Sequence, residues 1–271
     1  MPTHRAVVAE FVGTFALMFI GGGAIIVTQG TDAALITIAL AHGLILAVMV
    51  SATMHISGGQ FNPAVSIGLA LIKKQPWPQA GAFIITQLAG AIAAAFVLKW
   101  SLGGAFEVGN IGATLGALTD GVDADKTNVP AALVLEAIGT FFLMFVILGT
   151  AVDKRGVGGS ASIGGFGIGL TVAAVILCIG PATGASLNPA RSFGPALAAW
   201  AWQSHWVYWA APIVGAATAA FVYKIVFSLQ KWAKAESSIA QSAKDHSAVR
   251  CANTNEAANT PAWSALPPAD S

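Results

Sequence analysis

The 271-residue chain is 56% hydrophobic and only 9% charged, with a formal net charge of +1. Soluble domains carry about 25% charged residues, so this composition excludes an ordinary soluble globular class. It also gives no argument for nucleic acid as a partner, and two cysteines are too few for a disulfide framework.

A membrane-spanning helix needs about 20 predominantly apolar residues. The chain opens with MPTHR, without a signal-peptide cleavage pattern, and enters the first such run at once. Six runs qualify: roughly 6–28, 34–54, 79–100, 130–151, 160–180 and 206–229. Two shorter apolar pieces, roughly 63–72 and 189–199, each follow an Asn-Pro-Ala: Asn62-Pro63-Ala64 and Asn188-Pro189-Ala190. About ten residues make about 15 Å of helix, half of a roughly 30 Å hydrocarbon core. These pieces are expected to enter the membrane without crossing it. The Gly-rich, acidic stretch 103–129, with Glu107, Asp120, Asp123 and Asp125, is expected to be a solvated outer loop. The polar stretch 235–271 is expected to be a disordered cytoplasmic tail. Cys178, inside an apolar run, is expected to be a small buried residue. No zinc spacing is present, and no cofactor is expected.

Lys and Arg orient the chain. With the N-terminus inside, Arg5, Lys73, Lys74, Lys154, Arg155, Lys224, Lys231, Lys234, Lys244 and Arg250 are cytoplasmic, against Lys99 and Lys126 outside. This predicts cytoplasmic termini, with a cell membrane (plasma or inner) as the expected location. Trp77 and Trp232 suit the inner interface; Trp100, Trp202 and Trp206 suit the outer one.

The chain is written twice. AEFVGTFALMF from Ala9 matches LEAIGTFFLMF from Leu135, so that Glu10 and Glu136, Gly13 and Gly139, and Thr14 and Thr140 stand 126 apart. So do Gly58 and Gly184, Asn62 and Asn188, and Ser66 and Ser192. QLAGAIAAAFV from Gln87 matches PIVGAATAAFV from Pro212 with one residue of slip. The predicted organisation is a first repeat over 1–125, a second over 126–234 and the tail over 235–271. Each repeat holds three spans, an odd number, so the second copy enters from the opposite side. The predicted fold class is an all-α integral membrane protein with six spans and two re-entrant half-helices in an inverted repeat.

Asn is a preferred N-cap and Pro is preferred at the first helical position, so Asn-Pro-Ala is a strong helix start. Within lipid, unpaired backbone groups are tolerated only when buried in protein or lining a watery cavity. Two such starts at mid-membrane therefore argue for a polar path. Each helix N-terminus carries roughly half a positive charge, and two facing each other oppose cations. The amides of Asn62 and Asn188 can donate to a neutral molecule and turn a water so that a proton wire is interrupted. Arg191 is a cation inside a membrane segment and hence a functional candidate.

SGGQFNPAVSIG, GASLNPARSFGPAL, six spans and AEFVGTF together resemble the major intrinsic protein family, the aquaporins, over roughly residues 5–230. The resemblance implies a homotetramer with one pore per subunit. It also implies a selectivity filter of four positions, which by counting from the motifs are His42, Ile176, Ala185 and Arg191. Taken alone, His42 reads as a buried core histidine. The quartet is similar to that of plant tonoplast intrinsic proteins, and Ala185 lacks the common cysteine target of mercurials. The expected function is passive passage of water, with ammonia, hydrogen peroxide and urea as candidate further solutes. For Glu10 and Glu136 the resemblance implies a structural role, accepting hydrogen bonds from the re-entrant loops; Gln87 is a further tether. His55 is expected to be a hydrogen-bonded loop histidine in preference to a pH gate.

The nearest rival is a glycerol facilitator. Ser192, Ala196 and Tyr208-Trp209 follow the water-channel pattern at the positions that separate the two. A secondary transporter with Glu10 and Glu136 as coupling groups is the other alternative, since inverted repeats with broken helices serve both. No catalytic spacing stands within the spans, so an enzyme is not expected. Gly90, Gly215 and the GGFGIG run from Gly164 read as close helix packing.

Overall fold

A computed structural model describes residues 2–102, 104, 114, 116–119, 128–153 and 161–227, the side chains of 161–163 excepted. The chain enters α1 (His4–Thr28) through an N-cap at Thr3, whose hydroxyl accepts from the Ala6 N–H at 3.2 Å. Then follow α2 (Ala34–Thr53), the short α3 (Pro63–Leu71) and α4 (Trp77–Leu102). The second repeat has α5 (Val129–Ile147), prolonged by one π-helical turn at Leu148–Val152, then α6 (Ala161–Thr183), the short α7 (Pro189–Ala199) and α8 (Val207–Phe227). Among the described residues six helices are long and apolar enough to cross a membrane, and they lie where the sequence places them. The α3 helix has nine residues and α7 has eleven, about 14 and 17 Å at 1.5 Å per residue, so each reaches only part-way across. They are re-entrant half-helices.

The two half-helices start alike. Asn62 (φ −153°, ψ 117°) and Asn188 (φ −151°, ψ 108°) are both extended N-caps followed by Pro. The side-chain oxygen of Asn62 accepts from the Ala64 N–H at 2.9 Å, and that of Asn188 from the Ala190 N–H at 3.0 Å. Proline at the first helical position has no N–H to orphan, and the asparagine side chain satisfies one of the next donors.

Packing repeats the duplication. Met18, Ala91, Ala94 and Ala95 of the first repeat surround Ala190 and Ala198 of α7. Met144, Ala216, Ala219 and Ala220 of the second surround Ala64, Val65 and Leu69 of α3. Met18 and Met144 are related by the 126-residue period, and each packs on the half-helix of the other repeat. The repeats therefore interlock, and residues 1–223 form one unit. Residues 224–271 form a second, described only as the last residues of α8; the expected tail, 235–271, and Trp232 lie outside the described residues. Small residues bring the backbones close. A methyl on Gly90 would lie 2.5 Å from the Phe11 carbonyl oxygen, and one on Gly215 would lie 2.1 Å from that of Ala137.

Candidate functional site

The loops before the half-helices carry the site. Phe61 (φ 49°) and Leu187 (φ 54°) are equivalent by the repeat, and both adopt the left-handed conformation that costs a residue with a β-carbon of order 1–3 kcal/mol. Buried carboxylates hold them there. Glu10 Oε1 accepts from the Ser57 hydroxyl at 2.7 Å and the Gln60 N–H at 2.9 Å; Oε2 accepts from the Phe61 N–H at 2.7 Å and the Gln87 side-chain amide at 2.8 Å. Glu136 Oε1 accepts from Thr183 at 2.7 Å and the Ser186 N–H at 2.8 Å, and Oε2 from the Leu187 N–H at 2.9 Å. Both carboxylates are fully buried. Glu10 thus fills its four acceptor sites and Glu136 three of four, and neither lines the cavity described below.

The two loops are tied across the seam between repeats. Asn62 Nδ2 donates to the Leu187 carbonyl at 2.8 Å, and Asn188 Nδ2 donates to the Phe61 carbonyl at 2.8 Å. The N-termini of α3 and α7 thus meet tip to tip. A side-chain amide has two N–H groups, so each asparagine keeps one donor beyond this tie.

A cavity with about 470 Å³ of empty space, adjoining open solvent included, is lined by both asparagines. Leu17, Leu46, Leu143, Ile147, Ile168 and Val172 make an apolar wall. Gly59, Gln60, Ser186 and Leu187 of the two loops also line it, together with His42, Ile176, Ala185 and Arg191. These last four are all buried, at 2–3% exposure. Gly21 leaves the imidazole of His42 its place, since a methyl there would lie 2.4 Å from the ring. His42 Nδ1 lies 2.8 Å from the Ile38 carbonyl, which can only accept, so Nδ1 carries the proton. The bare Nε2 then accepts from Arg191 Nε at 3.3 Å.

Three side chains not singled out in the sequence, Gln75, Ser186 and Thr114, complete the site together with Ser192, read there as a position of the water-channel pattern. Gln75 exchanges hydrogen bonds with the amide of Gln60 and donates to the Ser66 carbonyl at 2.7 Å. Ser186 and Ser192 bond to each other, and Thr114 accepts from Arg191 Nη1. The equivalence of Ser66 and Ser192 was the available signal for Ser192; Thr114 had none, because its loop has no periodicity.

Three expectations are corrected. The stretch 103–129 is not solvated throughout: Thr114 and Thr119 are buried, and the Thr119 hydroxyl sits 2.8 Å from that of Tyr208, because these hydroxyls find partners inside the protein. Its acidic residues lie outside the described residues. Cys178 is exposed, since its face of α6 turns away from the protein interior. His55 is exposed and makes no hydrogen bond to the described residues; the loop backbone around it is satisfied by helical turns instead.

Six spans enclosing two half-helices, with a polar seam and a lumen at their meeting point, define a passive membrane channel. A family model described as major intrinsic protein matches residues 1–223. Aquaporin TIP4-4 of Zea mays is 41% identical over 236 residues, covering 83% of this chain and 88% of that one. Nodulin-26 of Glycine max is 42% identical over 229 residues, covering 83% and 79%. The solved structure of the aquaglyceroporin from Plasmodium falciparum superposes with a TM-score of 0.68 at 28% identity, covering 82% of this chain and 96% of that one. The chain belongs to the major intrinsic protein family, the aquaporins; it is a channel and not an enzyme.

Proposed function

We propose that this channel conducts water in single file and excludes protons and ions, with ammonia, hydrogen peroxide and urea as candidate further solutes. The observation that carries the reading is the spare amide donor on each of Asn62 and Asn188 beside two converging helix N-termini. A water oxygen accepting from both has its hydrogens turned outward, away from the two asparagines. That orientation breaks a continuous proton wire, and the half-helix dipoles oppose a cation at the same place.

His42, Ile176, Ala185 and Arg191 are the proposed filter. A guanidinium and an imidazole in contact at 3.3 Å leave a small, polar opening, faced by the apolar Ile176 and the small Ala185. Such an opening suits water, whereas glycerol requires a wider passage with an apolar side for its carbon backbone. The transporter alternative loses its motive, because Glu10 and Glu136 are engaged by the loops instead of facing a pathway.

The proposal includes a homotetramer and cytoplasmic termini in a plasma or inner membrane; ten cytoplasmic Lys and Arg against two support the orientation. Stopped-flow permeability of reconstituted vesicles to water, glycerol, ammonia and urea tests the function. Water flux above empty vesicles and a cation leak in Arg191→Val are expected. Water flux equal to that of empty vesicles overturns the reading.

A further inference from the structure

Ser66 and Ser192 occupy the same place in the two half-helices, and each bonds back to the equivalent loop residue, Gln60 or Ser186. In the first repeat Ser66 receives its own hydrogen bond from Gln87 of α4, at 3.1 Å. The matching residue of α8, allowing the one-residue slip, is Pro212, which has no side-chain donor. Thr114 supplies the missing contact, with its hydroxyl 2.6 Å from that of Ser192.

The direction of this second chain follows from counting protons. Ser186 has one hydroxyl proton, and its contact at 3.0 Å with the Asn188 carbonyl, which can only accept, uses it. Ser186 therefore accepts from Ser192, Ser192 from Thr114, and Thr114 from Arg191 Nη1. Every contact is made in one sense only: guanidinium, Thr114, Ser192, Ser186, Asn188 carbonyl.

We propose that Thr114 and Ser192 are positioning residues for solute selection: a one-way hydroxyl relay ties the Arg191 guanidinium to the re-entrant loop and fixes its place at the constriction. The relay acts with the His42 contact, which holds Nε while Thr114 holds Nη1. The first repeat has no counterpart, because its donor, Gln87, is anchored on Glu10 and not on a filter cation.

This inference rests on the proposed filter. The test uses the full chain in vesicles and reads the ratio of urea to water permeability. In Thr114→Val, which keeps the shape and loses the hydroxyl, the ratio is expected to rise about tenfold, the size of one hydrogen bond to a charged group. Thr114→Ser restores it. Ser192→Ala changes it in the same direction, and the double variant adds nothing further. A merely structural role lowers both fluxes together, and that result, an unchanged ratio, or failure of Thr114→Ser to rescue overturns the relay. Unchanged protein that passes no water overturns the pore reading itself and the relay with it.

Discussion

The side-chain amide of Asn62 donates to the backbone carbonyl of Leu187 at 2.8 Å, joining buried residues 125 apart in sequence. The reverse bond, from Asn188 to Phe61, makes the tie reciprocal. Each asparagine thereby caps its own half-helix with its oxygen and holds the opposite loop with its nitrogen. A carboxylate can perform the first task and not the second.

Asn62→Asp keeps the cap and turns the cross-tie into an oxygen facing a carbonyl oxygen. A buried polar group left without its partner costs about 1–3 kcal/mol, and the added negative charge offsets the helix dipoles. Lower thermal stability in detergent and a measurable cation conductance in planar bilayers are expected. Unaltered ion exclusion argues against the dipole barrier.

The carboxylate anchors differ in load. Glu10 receives four donors and Glu136 three, because Pro212 stands where Gln87 stands in the first repeat. Replacing either Glu by Gln turns one acceptor oxygen into an NH2 that faces N–H donors. Hydrogen bonds to charged groups contribute about 1.5–3 kcal/mol each. Glu10→Gln is expected to lower the melting temperature more than Glu136→Gln, read by thermal unfolding in the same detergent.

Mercurials test which way two positions point. Cys178 is exposed on α6, whereas Ala185 lines the cavity. Water flux should be insensitive to mercuric ion in the unchanged protein and in Cys178→Ser. Ala185→Cys should create inhibition that a thiol reverses. Inhibition abolished by Cys178→Ser would place that residue on the pathway instead.

His205, between α7 and α8, accepts from the Trp209 indole N–H at 3.0 Å and packs against Phe193 and Trp202. Burial lowers its pKa below the ordinary imidazole value of 6.5. The unfolded chain therefore binds a proton first, and stability contributed by neutral His205 falls as pH drops through that value and below it. Thermal unfolding at a series of pH values should show a loss on the acid side that His205→Gln diminishes. Equal acid sensitivity in both proteins would remove the residue from the account.

Much of this protein is local and so was written openly in the sequence. Span lengths, the Asn-Pro-Ala starts, the 126-residue period and the inverted topology need only composition, spacing and the parity of three spans. Which way a residue faces within a span was hidden. Lipid is as apolar as a packed core, so a helix that is apolar all round gives no contrast between its faces. That is why Cys178 was expected inside and is outside. The left-handed Phe61 and Leu187, the crossed asparagine bonds and the reach of Thr114 to Arg191 join segments that only the fold brings together. Sequence settled that two half-helices had to meet around a polar path. The tertiary structure alone decided which donors and acceptors complete that path, because a hydrogen bond depends on distance in space and not along the chain.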